Sequence, residues 1–168
     1  MPPARLLKTA LPLILLLLVL FASRLSCAFC FEEAGREYHI SPELLWAIAK
    51  VESQFDPAAI NYNSNGSYDF GVMQINSSWA RHLGLKRWAA LGDPCYNVKV
   101  GAWVLADCLQ RYGLTEEGIG CYNAMDSGKR SVYAGKVLKA LKQALAERGM
   151  STDLQPVEIK TSASITPR

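Results

Sequence analysis

Glu52 is the side chain best placed for acid–base chemistry, because the sequence puts it at the edge of an apolar helix face. Ser41 is a favourable N-cap and Pro42 suits the first helical position, so a helix is predicted to begin there. At 100° per residue, Glu52 lies on the shoulder of an apolar arc of about 60°. That arc consists of Leu44, Ile48, Val51 and Phe55, with Leu45 on its flank. Apolar neighbours disfavour a charged carboxylate, so we expect a raised pKa for Glu52 and a carboxyl group that can donate a proton.

The remaining sequence predicts a mainly α-helical protein with one short β-hairpin. The helix that carries Glu52 should end near Asp56, because the residue before a proline avoids the α conformation. The polar segment 60–69 follows, and its Asn65-Gly66 pair is a strong signal for a two-residue hairpin turn. Capping residues and apolar periodicity predict the other helices. These cover 31–38, 79–83 before Gly84, 93–112 before Gly113, a short helix opening at 115–117, and about 129–148.

Two of these helices should supply much of the core. The inward positions of helix 93–112 are Val98, Ala102, Leu105, Leu109 and Tyr112. Those of the last helix are Val132, Val137, Leu138, Leu141 and Leu145. The lysines of the last helix, Lys136, Lys139 and Lys142, are interpreted as a solvated face.

Residues 1–28 have the pattern of a signal peptide. Basic residues precede an uncharged apolar run of 13 residues, from Ala10 to Ala22. A membrane span needs about 20 such residues, whereas a signal peptide needs fewer. Small residues at Ser26 and Ala28 predict cleavage after Ala28; an uncleaved anchor and lipidation at Cys27 are the alternatives. The folded domain should then span 29–149, with a polar, disordered tail at 150–168.

Cleavage changes the charge and the cysteine count of the protein. The whole chain has 18 basic and 15 acidic side chains, and three of the basic ones lie in the leader. The mature protein is therefore formally neutral, which gives no support for nucleic-acid binding. Cys30, Cys95, Cys108 and Cys121 remain, and in an exported protein they predict two disulfides. The two histidines lack metal-ligand spacing and there is no Gly-rich phosphate loop, so no cofactor is predicted.

Four short blocks, in order, resemble the SLT type of lytic transglycosylase. They are Ala47–Ser53 (AIAKVES), Gly71–Ile75 (GVMQI), Cys121–Ala124 (CYNA), and Tyr133 with Val137. Together they cover about residues 30–149. The segments between them look most like the small specialised members that accompany secretion or conjugation machines.

The resemblance implies a lysozyme-like domain that acts on peptidoglycan. Such enzymes cleave the β-1,4 bond between N-acetylmuramic acid and N-acetylglucosamine. Glu52 would protonate the glycosidic oxygen, and the substrate's N-acetyl carbonyl can stabilise C1. The muramyl C6 hydroxyl then attacks C1, gives up its proton to the Glu52 carboxylate and leaves a 1,6-anhydro end. Water is not consumed, so a second enzymic carboxylate is not required.

The resemblance also assigns roles to residues outside the helix of Glu52. Met73 and Gln74 would line the sugar subsites, Tyr122 and Asn123 the cleft floor, and Tyr133 would contact Glu52. Structural alternatives are a core-filling role for Met73, boundary packing for Tyr122 and core packing for Tyr133. Ser53 could orient the acid or simply end the helix. Among the three possible disulfide pairings we expect Cys30–Cys95 and Cys108–Cys121, which would tie the leading helix and the Tyr-Asn block to the long helix.

Two other functions fit parts of the sequence. A hydrolytic muramidase would need a second carboxylate, for which Asp56 and Asp69 are the candidates. Asp56 is more simply a helix-end or loop residue, and Asp69 is more simply a residue that fixes the hairpin. A non-catalytic peptidoglycan-binding scaffold would not require an acid at Glu52. The expected location is the periplasm, with glycan strands and secretion or conjugation components as partners, and no membrane contact after leader cleavage.

Overall fold

The computed structural model describes residues 29–147 and Gly149, so the predicted leader and tail lie outside the described residues. This part of the chain is mostly helical and includes one small antiparallel sheet. None of them is both long enough and apolar enough to cross a membrane. The elements in chain order are α1 (Phe31–Tyr38), α2 (Pro42–Ser53), β1 (Ile60–Tyr62), β2 (Tyr68–Phe70), β3 (Ile75–Asn76), a 3₁₀ turn (Ser77–Trp79), α3 (Ala80–Ala90), α4 (Pro94–Tyr112), α5 (Glu116–Cys121) and α6 (Ser127–Glu147). The predicted mainly α fold class is confirmed.

Helix α2 begins as its capping residues predict but ends earlier than expected. The Ser41 hydroxyl accepts a hydrogen bond from the Leu44 N–H at 3.3 Å. The predicted end near Asp56 was wrong, because Gln54 and Phe55 adopt the left-handed conformation with φ of 54° and 69°. This reversal turns the Phe55 ring back onto Trp46, at a centroid distance of 5.0 Å. The helix thus ends at Ser53, and Phe55 packs against Trp46 instead of extending it.

The β-hairpin is present, and a third strand extends it into a sheet of order β1-β2-β3. Ile60 pairs with Phe70, Tyr62 with Tyr68, and Phe70 with Ile75. The loop between β1 and β2 is longer than the two-residue turn that Asn-Gly favours, since the Asn63 N–H bonds to the Ser67 carbonyl across it. Gly66 supplies the positive φ, 83°, that this loop requires.

Helix α3 is longer than predicted. Gly84 has φ 75° and ψ 160°, so it interrupts the helix as expected. Helical structure resumes directly after it and continues to Ala90. The predicted interruption at Gly84 is confirmed, and the second helical segment, which continues to Ala90, was not predicted.

Helix α4 crosses the centre of the core. Asp93 caps it by accepting a hydrogen bond from the Tyr96 N–H at 2.7 Å. Most of the predicted inward side chains of α4 and α6 are buried or partly buried: Val98, Ala102, Leu105, Leu109, Val137, Leu138, Leu141 and Leu145. Two assignments were wrong, because Tyr112 is 39% exposed and Val132 is 64% exposed. Tyr112 instead packs against the Arg130 guanidinium, 4.7 Å from its ring centroid.

Two disulfides attach the outer helices to α4. Cys30–Cys95 joins the start of α1 to the start of α4. An ion pair of 2.7 Å between Lys99 and Glu33 lies at the same joint. Cys108–Cys121 joins the C-terminal half of α4 to the end of α5. The structure thus contains both of the pairings expected from the sequence.

Candidate active site

The carboxyl group of Glu52 lies where the end of α2 packs against α6. The Tyr133 hydroxyl donates a hydrogen bond of 2.5 Å to its Oε1 atom. Burial raises the pKa of Glu52 to about 7, and the negative charge of Asp69 acts in the same direction. The hydrogen bond from Tyr133 and the positive charge of Lys136 oppose the rise. The net result is a carboxylic acid that is still about half protonated at neutral pH.

A pocket of about 520 Å³ opens beside this carboxyl group. The end of α2 forms one side of the pocket, and the loop before α6 and the first three turns of α6 form the other. Its lining residues are Val51, Glu52, Asn123, Asp126, Gly128, Lys129, Val132, Tyr133 and Lys136. The pocket thus combines apolar side chains, a partly buried proton donor and charged side chains at its rim.

Tyr122 packs beside Tyr133, the hydrogen-bond partner of the acid. Its hydroxyl donates a hydrogen bond of 2.7 Å to the Met73 carbonyl oxygen. Its ring is nearly parallel to that of Tyr133, with centroids 6.4 Å apart and an interplanar angle of 16°. Burial raises the pKa of both tyrosines well above the ordinary value. Both hydroxyl groups therefore remain protonated donors at neutral pH.

Met73 and Gln74 lie in the core behind the acid. Met73 has no exposed surface and packs on Gly101, so the structure favours its core-filling alternative. The Gln74 amide donates to the carbonyl oxygens of Gly71 and Ala59 and accepts from Asn61 at 2.7 Å. These bonds join the sheet to the following turn. Contact of either side chain with a substrate stays a prediction.

Asn97 on α4 is a buried polar residue that the sequence analysis did not identify. Its Oδ1 accepts from the Met73 N–H at 2.8 Å, and its Nδ2 donates to the Phe70 and Leu91 carbonyl oxygens. A Cβ atom at Gly71 would lie 2.2 Å from that Nδ2 atom, so only glycine fits there. Asn97 thereby fixes the Gly-Val-Met-Gln segment. Periodicity could not identify it, because an asparagine in a helix is usually read as a surface residue.

The two candidate second carboxylates both accept hydrogen bonds from nearby residues of the chain. Asp69 accepts hydrogen bonds from Asn63 at 2.9 Å and Asn76 at 2.7 Å, so it holds the hairpin as expected. Asp56 is exposed and accepts a hydrogen bond from the Ala58 N–H at 2.8 Å. Of these two carboxylates, only Asp69 affects the pKa of Glu52.

Ser53 ties the end of α2 to the segment behind the acid. Its hydroxyl donates a hydrogen bond of 2.8 Å to the Val72 carbonyl oxygen, and it also reaches the Ala49 carbonyl oxygen at 3.4 Å. Residue 53 therefore fixes the position from which the neighbouring Glu52 side chain emerges.

Among the described residues, one group has the spacing of metal ligands: Cys30, Glu33 and Cys95. Both sulfur atoms are joined in a disulfide, so they offer no thiolate to a metal ion.

All four sequence blocks lie within the part of the chain that a known family model matches. A family model described as the transglycosylase SLT domain matches residues 29–142. The chain belongs to this family. The protein is also 38% identical over 144 residues to invasion protein IagB of Salmonella typhimurium (strain LT2), a match that covers 82% of this chain and 88% of that relative.

Two further relatives of this SLT protein each match about two thirds of the chain. Protein IpgF of Shigella flexneri is 39% identical over 117 residues, covering 68% of this chain and 77% of the relative. The X polypeptide of Escherichia coli is 37% identical over 119 residues, covering 66% and 70%. In the SLT domain of this chain, Glu52, Tyr122 and Tyr133 come from three of the four sequence blocks and meet at one place.

Proposed function

We propose that this protein is a peptidoglycan lytic transglycosylase in which Glu52 is the catalytic acid and then the catalytic base. The acid protonates the oxygen of the β-1,4 bond between N-acetylmuramic acid and N-acetylglucosamine. The resulting carboxylate accepts the proton of the muramyl C6 hydroxyl as that oxygen bonds to C1. Atoms balance without water, and the product ends in 1,6-anhydro-N-acetylmuramic acid.

The observation that carries this proposal is the environment of one carboxyl group. A group that first donates one proton and then accepts another works best with a pKa near the working pH. Burial in the pocket raises the pKa of Glu52 to about 7, while the Tyr133 hydroxyl holds its Oε1 in place. Membership of the SLT family supports peptidoglycan as the substrate.

The cell-biological role that fits best is local opening of the cell wall for a secretion or conjugation apparatus. One relative is named as an invasion protein, and this chain matches most of its length. The predicted signal peptide would deliver the mature protein to the periplasm, where glycan strands are accessible. Components of such an apparatus are the proposed protein partners.

The product of digestion tests the chemistry directly. Sacculi would be digested with the mature protein, and the released muropeptides reduced with borohydride and weighed by mass spectrometry. Transglycosylase products should be about 20 mass units lighter than reduced hydrolysis products, because they lack one water and have no reducible end. Glu52→Gln should lower the rate by about 10²–10⁴-fold while leaving a folded protein that binds sacculi.

Hydrolysis is the second candidate, because the charge of Asp69 reaches Glu52. A hydrolase would release reducing muramic acid and would lose its activity in Asp69→Asn. Under the transglycosylase proposal Asp69→Asn still forms anhydro products, as does the matched loop variant Asp56→Asn. Reducing ends that disappear with Asp69→Asn would therefore decide for the hydrolase. Binding to sacculi without release of any muropeptide would decide for a scaffold.

A further inference from the structure

Two lysines of α6 face the pocket without a partner of opposite charge. Lys129 and Lys136 both line it, although the sequence placed Lys136 on a solvated face. They are seven residues apart, which on a helix means the same face and a separation of about 10.5 Å along the axis. No carboxylate in the part of the chain that the structure describes forms an ion pair with either ammonium group.

The acidic groups of the pocket are already engaged. The Asp126 carboxylate accepts the backbone N–H of Lys129 at 3.0 Å. Glu52 is bonded to Tyr133, and its positive neighbour Lys136 only partly offsets the effect of burial on it. The ammonium groups of Lys129 and Lys136 are therefore free to pair with a ligand, and Asp126 adds one negative charge near Lys129.

An exposed apolar residue lies between the two lysines. Val132 is 64% exposed although the helix periodicity places it inward, and Val51 of α2 is a second apolar residue of the same pocket. Two lysines about 10 Å apart along the helix axis, with an exposed valine between them, match a short extended peptide that carries carboxylates and methyl groups.

We propose that this rim binds the stem peptide carried by the muramic acid, with Lys129 and Lys136 pairing with its carboxylates. The inference rests on the proposed function, because it takes peptidoglycan as the substrate. The acetylated sugars are uncharged once the lactyl group is amide-linked to the peptide. Carboxylates are therefore found on the peptide and not on the glycan, and the cations of the rim select glycan strands that carry stems.

Binding to a matched pair of ligands tests this inference. The protein is the full mature chain with Glu52→Gln, so that no ligand is consumed. Both ligands are the same muramyl tetrasaccharide with L-Ala–D-Glu stems. In one ligand the two D-Glu carboxylates of each stem are free, and in the other they are converted to amides. Neither has a free lactyl carboxylate. Titration calorimetry at low and moderate salt would measure both affinities.

We expect the carboxylate form to bind more tightly, with a preference that weakens as salt rises. Lys129→Gln and Lys136→Gln should each reduce that preference by roughly two- to five-fold, as for exposed ion pairs. Lys142→Gln, on α6 but outside the pocket, is the matched control and should leave the preference unchanged. Equal affinity for the two ligands, or an equal effect of Lys142→Gln, would overturn the inference. Failure to bind either ligand would remove the proposed function and this inference with it.

Discussion

Burial, two nearby charges and one hydrogen bond set the pKa of Glu52, and their effects oppose one another. Burial and the charge of Asp69 favour the protonated acid, whereas the Tyr133 hydroxyl and Lys136 favour the carboxylate. Asp69 lies in β2, whereas Tyr133 and Lys136 both lie in α6. Single substitutions can therefore move the pKa of Glu52 in either direction without altering the acid itself.

The pH profile of kcat/KM should respond to two of these substitutions in opposite senses. In the wild type, activity should fall as the pH rises through about 7, because Glu52 loses the proton it must donate. Asp69→Asn removes a negative charge, so the pKa and the alkaline limb should move to lower pH. Tyr133→Phe removes a donor to the carboxylate, so the limb should move to higher pH. Asp56→Asn serves as the control, and shifts of the two variants in the same direction would contradict this account.

The raised pKa of Glu52 should also lower the stability of the folded protein at alkaline pH. The pKa of Glu52 is raised in the folded state from 4.5 to about 7, so the folded protein holds the proton more tightly than the unfolded chain. The associated stabilisation is complete below about pH 4.5 and is lost as the pH rises through about 7. A shift of this size corresponds to about 3 kcal/mol between the two limits.

Glu52→Gln removes this titration and tests it. We expect the free energy of unfolding of the variant, relative to wild type, to rise by up to about 3 kcal/mol between pH 4 and pH 8. Urea denaturation at several pH values would measure the difference. A constant difference at all pH values would show that the wild-type carboxyl titrates normally.

At the level of single residues, part of the site could be predicted from the sequence. Helix geometry places Glu52 beside an apolar face, but it also fits a boundary glutamate with no chemistry, so the family resemblance was needed to assign Glu52 as the acid. The contact with Tyr133 followed only from the family resemblance, since nothing local relates two residues 81 positions apart. Asn97 was missed because its three partners are backbone groups of other segments.

Among the elements, α5 links the disulfide framework to the acid. Cys121 ends this helix and immediately precedes Tyr122, whose ring lies against Tyr133. Cys108–Cys121 thus holds Tyr122 against Tyr133, the residue that donates a hydrogen bond to Glu52. Cys30–Cys95 lies at the other end of α4 and fixes α1, which contributes no residue to the pocket.

Removal of the two disulfides should therefore have different effects. By loop length, the Cys30→Ala/Cys95→Ala variant should lose about 4 kcal/mol of stability and the Cys108→Ala/Cys121→Ala variant about 3 kcal/mol. Only the second should lower kcat at a temperature at which both variants are folded. Urea denaturation and initial rates would measure this. An equal loss of kcat in both would contradict a specific link between Cys121 and the acid.

The boundaries of elements were harder to predict than their existence. All the predicted helices occur; Asp93 caps α4 as expected, and Thr115 caps α5. The end of α2 depends on Phe55 packing against Trp46, a contact that local sequence signals do not encode. Gly84 was read as an end because a positive φ usually stops a helix, whereas here helical structure resumes after one residue.

For the whole molecule, the first described residue bears on the predicted export. Phe29 directly follows the predicted cleavage site, and its ring lies 5.7 Å from Phe31 and 6.0 Å from Phe55. The new N-terminus would thus begin inside an aromatic cluster. The chain is long enough for one folded domain, and the structure describes one core shared by its helices.

The exported protein should begin at Phe29. Intact mass or N-terminal sequencing of periplasmic material would measure this, with unfractionated precursor as the control. Cleavage one or more residues later would remove Phe29 from the cluster and should lower thermal stability. Retention of Met1, or a lipid on Cys27, would contradict the prediction.

The distance along the chain between Glu52 and Tyr133 sets the time at which the pocket can first exist. A ribosome adds about 5–20 residues per second, so the tyrosine is made about 4–16 s after the glutamate. Throughout that interval the growing chain has the acid but neither its hydrogen-bond partner nor the wall of the pocket that α6 provides. A product of interrupted synthesis that stops before α6 therefore cannot assemble the pocket.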